Sequence, residues 1–119
     1  MGTNASTDLR LQPFLAVVRV PSAMAELPED LVRKDLDVTR RALEKVKVIA
    51  PEKSYAKRIA EDFLKMARSY HADATHFAAK GDLVNAFAAV NYAHGWLDAG
   101  ARLGVFDVAG DTRLFTLLE

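Results

Sequence analysis

Phe77-Ala78-Ala79-Lys80-Gly81-Asp82-Leu83-Val84-Asn85-Ala86-Phe87 is the stretch that decides the fold. Gly81 has no Cβ and enters the left-handed conformation that stops a helix without steric cost. Asp82 follows at once, and its carboxylate can accept from the free N–H groups that open the next helix. A stop and a start with nothing between them leave no length for a crossover. The two flanking helices are therefore predicted to be antiparallel neighbours.

Upstream of the turn, Tyr55, Ile59, Phe63, Met66, Tyr70 and Phe77 form one apolar stripe at spacings of three, four and seven. Ala60, Leu64, Ala67, His71, Ala74 and Ala78 form a second beside it. Two adjoining stripes make a wide apolar face on a helix ending near Lys80. Downstream, Leu83, Ala86, Phe87, Val90, Ala93 and Leu97 form the main stripe of a helix predicted to end near Leu103. Ala88, Ala89, Tyr92, Trp96, Ala99 and Leu103 extend its apolar girth, leaving a narrow polar edge of Asn91, His94, Asp98 and Arg102 with Gly95 among them.

An earlier helix is predicted to begin at Pro28, with Glu29 and Asp30 at the positive end of its dipole. Its core stripe is Val32, Leu36, Thr39, Leu43 and Val46, and Pro51 is expected to end it and, with Glu52, to open the next. The opposite face carries charges paired acid before base at a spacing of four, as in Glu29–Arg33 and Asp37–Arg41. The fold class that follows is all-α: an antiparallel up-down three-helix bundle over residues 28–104. An N-terminal arm (1–27) precedes it. A C-terminal tail (105–119) is expected to pack on the bundle, with Asp111 capping a short final helix that presents Leu114, Phe115 and Leu118.

The arm carries Phe14, Leu15, Val17, Val18 and Val20, too few apolar residues in a row to span a membrane and interrupted by Arg19. Neither a secretory leader nor a membrane partner is expected, and the cytoplasm is the default location. The 119 residues form one domain by length, with half of them hydrophobic. Sixteen basic residues balance sixteen acidic ones, which argues against nucleic acid as a partner. With no cysteine, disulfides, thiolate chemistry and thiolate zinc sites are excluded.

The stretch from Gly81 to Gly104, and above all Asn91-Tyr92-Ala93-His94-Gly95-Trp96-Leu97-Asp98-Ala99-Gly100, resembles the signature of an archaeal family known as domain of unknown function 357. The similarity extends back through Tyr55–Lys80. The resemblance implies a compact helical bundle in an archaeal cytoplasm and implies no activity.

The sequence has no Ser-His-Asp order, Gly-rich phosphate loop or nucleophile signature, so no catalytic residue is assigned. Of the three histidines, His71 and His94 could approach Asp98 across the antiparallel pair. No HxxxH pair supports a metal, and neither metal nor cofactor is expected. The candidate contact residues for a ligand or partner are Asn91, His94, Gly95, Asp98 and Arg102. Gly95 stands out because glycine inside a helix is costly and marks a close approach, either by a packed helix or by a ligand. Packing, with Asp98 and Arg102 paired four apart, is the simpler explanation. The wide apolar girth of the last helix points to a non-enzymatic interaction or scaffold module. Such a module would self-associate as a homodimer or bind a protein partner. The other reading is a small-molecule-binding or enzyme-accessory domain using the polar edge.

Overall fold

The computed structural model describes residues 27–116. Three helices follow one another: α1 (Glu29–Lys45), α2 (Tyr55–Ala79) and α3 (Leu83–Leu103). Two short strands, β1 (Lys47–Val48) and β2 (Phe106–Asp107), join the ends of α1 and α3. The all-α bundle expected from the sequence is present. The arm lies outside the described residues apart from Leu27, which packs against the upper part of the core.

The turn between α2 and α3 is built as the sequence predicts. Gly81 has φ +78°, and the Asp82 side chain accepts from the Asn85 amide at 3.3 Å. The α2–α3 pair forms the main contact of the bundle, and alanine makes it close. Ala60, Ala67 and Ala74 on α2, and Ala86, Ala89 and Ala93 on α3, are all fully buried. Aromatic rings lock the register: Tyr70 meets Tyr92 edge to face with centroids 4.5 Å apart, and Phe63 meets Trp96 at 5.1 Å. Phe63 and Phe87 are half-buried at the margin of this core.

The core falls into two clusters. The upper one, near the α2–α3 turn, gathers Val32, Tyr70, Phe77 and Val90 with the small residues between them. The lower one combines Ala42, Ala60, Ala67 and Leu97 with Val105, Phe106, Val108, Leu114 and Phe115. Residues after α3 thus supply more than half of the buried residues of the lower core.

Three boundaries differ from expectation. Helix α1 stops at Lys45, not at Pro51: Val46 turns extended, and Lys47 and Val48 pair antiparallel with Asp107 and Phe106. Val46, Val48 and Ile49 are β-branched and favour this extended course. Helix α2 opens at Tyr55, after Ser54, whose side chain caps it by accepting from Lys57 N at 3.0 Å. This leaves Tyr55 73% exposed, not in the core stripe. Among the described residues Asp111 caps a single turn instead of a final helix, and Leu118 lies outside them. Its Oδ1 accepts from the amides of Arg113 (2.9 Å) and Leu114 (3.2 Å), and the chain leaves the turn at Phe115, whose amide donates to Asp111 O.

Candidate functional site

Helices α1 and α3 run in the same direction. The start of α1 lies beside Leu83, and its last residue, Lys45, reaches Asp111 at 3.1 Å. The tail enters the groove between them and is held by the polar edge of α3. Thr39, buried on α1, lies 3.0 Å from His94 Nδ1 through its hydroxyl. His94 Nε2 lies 2.6 Å from the carbonyl oxygen of Leu114. A carbonyl can only accept, so Nε2 carries the proton. In the neutral ring Nδ1 then accepts from the Thr39 hydroxyl. One turn further on, Asp98 Oδ1 accepts from the Thr116 amide at 2.9 Å. His94 and Asp98 therefore fasten the tail to the bundle, with Leu114 and Phe115 buried beneath it.

Above this fastening a notch of about 250 Å³ remains open between α1 and α3. Asp35, Val38 and Thr39 line it from α1, and Val90, Asn91, His94, Gly95 and Asp98 from α3. Burial pushes the Asp35 carboxyl above its ordinary pKa, with Lys34 and His94 acting the other way. No hydrogen bond from a described residue contributes to that balance. On the far side of Gly95, an apolar hollow of about 360 Å³ is lined by Asn91, Tyr92, Gly95 and Trp96. Asn91 and Gly95 thus form the low ridge between a polar hollow and an aromatic one.

The candidate residues separate into different roles. His94 and Asp98 hold the tail and face the notch. Asn91 is exposed, and its side-chain amide donates to Phe87 O at 2.8 Å. Gly95 is exposed too, and a Cβ placed on it would meet nothing within 4 Å among the described residues. Helix packing within this fold is therefore not what requires glycine there. The packing glycine is Gly100, where a Cβ would overlap the buried Phe106 ring. Arg102 is exposed, and no Asp98–Arg102 ion pair forms among the described residues, because Asp98 turns to Thr116.

The histidines do not converge. His71 Nε2 donates to Leu36 O at 3.0 Å, away from His94, and His76 is exposed. No group of three metal-ligating side chains assembles among the described residues. No described helix is long and apolar enough to cross a membrane. Sequence reasoning missed Asp35 and Thr39, because both lie within the α1 pattern and only the α1–α3 register brings them to His94.

The chain matches the family model "Protein of unknown function (DUF357)" over residues 34–106, from within α1 through α2 and α3 to the first residue of β2. Comparison with curated proteins and with solved structures finds no match.

Proposed function

For a chain that belongs to the DUF357 family, we propose the role of a non-enzymatic interaction module that self-associates through the outer face and lower end of α3. One observation carries the reading. Ile49, Tyr55 and Leu103 are 54%, 73% and 58% exposed, and they lie at the same end of the bundle. Tyr55 opens α2 where α3 ends at Leu103, and Ile49 N donates to Val105 O just beyond it at 3.0 Å. Gly95 and Ala99 continue the exposed row up α3 at a spacing of four, flanked by the half-buried rings of Tyr92 and Trp96. Large apolar side chains gathered at one end are the surface that a second chain covers with most gain. A closed two-fold dimer is the simplest assembly of such a face.

The charges of α1 favour a protein partner over nucleic acid. Arg33 pairs with Glu29 at 3.0 Å, and Arg40 pairs with Asp37 and Glu44 at 2.7 and 2.8 Å. Those cations are already neutralised locally. The archaeal cytoplasm implied by the family resemblance belongs to the same proposal. Sedimentation velocity of the full chain against Leu103→Glu tests it. The parent should sediment as a dimer at tens of micromolar and the variant as a monomer with unchanged helicity.

A second reading is favoured by the notch beside His94. Its shape and lining suit a small molecule better than a second helix, and it leads to a separate inference.

A further inference from the structure

The notch between α1 and α3 offers acceptors and almost no donors. Its one hydroxyl, on Thr39, is directed at His94 Nδ1, and the His94 Nε2 proton is directed at Leu114 O. The Asn91 amide donates one N–H to Phe87 O and keeps its oxygen and a second N–H. Asp35 and Asp98 complete the lining, and no lysine or arginine is part of it. A site whose remaining valences mostly accept, and whose ionic charge is acidic, complements an N–H-bearing cation.

The spacing of the two carboxylates narrows the class. The Thr39–His94 contact fixes the register of two parallel helices. Asp35 lies one turn before Thr39, and Asp98 lies one turn after His94. The carboxylates are therefore offset by two turns, roughly 11 Å along the axis. Between them the wall is apolar or bare, formed by Val38, Val90 and Gly95. Glycine is disfavoured inside a helix. Here it lies where no internal contact needs it, and it opens the wall down to backbone.

We propose that this notch binds a linear aliphatic diamine or polyamine, with one ammonium group at Asp35, another at Asp98, and the methylene chain lying over Gly95. A single ammonium reaches one carboxylate only. A neutral diol of the same length gains neither charge contact. A divalent metal ion cannot bridge two groups so far apart. The inference does not require self-association: the notch opens between α1 and α3, its lining includes none of Ile49, Tyr55 and Leu103, and Gly95 is the one residue it shares with the exposed row of α3.

Isothermal titration of the full chain at low salt tests it, with spermidine as the probe and butylamine, 1,4-butanediol and magnesium chloride as controls. Spermidine should give saturable binding, and butylamine should bind about tenfold more weakly or worse, the scale of one lost charge-assisted hydrogen bond. Asp35→Asn and Asp98→Asn should each weaken spermidine by a similar factor. Gly95→Ala should weaken it while raising the melting temperature, a combination that a merely damaged fold does not give. Followed by NMR, the Asp35 carboxyl should titrate at lower pH when spermidine is present. Absence of saturable binding at low millimolar spermidine would overturn the proposal. So would equal affinity for butylamine, butanediol or magnesium, or an affinity that both Asn variants leave unchanged.

Discussion

The ring of Phe106 lies directly on the backbone of Gly100, so closely that a methyl group on that glycine would occupy the space of the ring. Phe106 is buried, belongs to β2, and brings the ribbon end of the chain onto the last turn of α3. Gly95, five residues earlier on the same helix, has open space where its side chain would be.

This contrast gives the first prediction. Gly95→Ala should stabilise the protein by about 0.5–1 kcal/mol, the intrinsic preference for alanine inside a helix. Gly100→Ala gains the same preference but overpacks a buried ring. It should be destabilising by about 1–3 kcal/mol. Denaturant midpoints of the two variants against the parent decide it, and the signs should be opposite.

The His94 fastening gives the second. Thr39→Val keeps the shape and removes the hydroxyl that Nδ1 contacts, at a cost of about 1 kcal/mol. His94→Ala also leaves Leu114 O without its donor and opens space beside Phe115, at a cost of about 2–3 kcal/mol. Amide exchange locates the damage: protection at Thr116, whose amide donates to Asp98, should fall in His94→Ala. The Asn85 amide at the opposite end, capped by Asp82, should keep its protection.

Two aspartates should respond to acid with opposite signs. The Lys45 ammonium, helped by the amides of Arg113 and Leu114, holds the Asp111 carboxyl below its ordinary pKa against the effect of burial. Its contribution is complete above the unfolded value near 4 and is lost as pH falls through the lower folded value. Asp35 is raised by burial, opposed by Lys34 and His94. Ionising it costs the folded state, so stability declines as pH rises through that raised value. Asp111→Asn should therefore weaken the protein at neutral pH and flatten the acid limb of its stability curve. Asp35→Asn should strengthen it at neutral pH. Unfolding midpoints collected from about pH 2 to pH 7 test both.

The parts of the fold set by local chemistry were legible before the structure. Gly81 and Asp82 name their turn, and the apolar stripes of Ile59 to Phe77 and Leu83 to Leu97 specify an antiparallel pair. What escaped depends on contacts between distant residues. The β-ribbon is two residues on each side, too short for alternation to signal it. Tyr55 fits the α2 stripe by spacing, yet the Ser54 cap places it at the open end of the helix, where it is largely exposed. Asp111 was readable as a capping residue, but whether a helix or a single turn follows depends on how Leu114 and Phe115 seat in the lower core. At the candidate site, the polar edge of α3 was visible as a pattern. That His94 and Asp98 grip the tail was not, because Leu114 O and Thr116 N are backbone groups without any residue signature.

The exposed end of the bundle supplies a further expectation. If a second chain covers Ile49, Tyr55 and Leu103, Tyr55→Ser should weaken association without weakening the monomer, since 73% of Tyr55 is exposed. Phe77→Ala, at a site 2% exposed, should cost about 3–5 kcal/mol in stability through the cavity it leaves. Melting temperature and dimer dissociation constant, measured on the same samples, separate the two effects.

Self-association through α3 is the central claim, and sedimentation velocity over a dilution series tests it most directly. The full chain should move from monomer to dimer as concentration rises into the tens of micromolar, about the range in which a weak apolar interface assembles. Leu103→Glu should remain monomeric throughout with the same circular dichroism spectrum. A parent protein that stays strictly monomeric across the series would contradict the account, as would a Leu103→Glu variant that dimerises as readily as the parent.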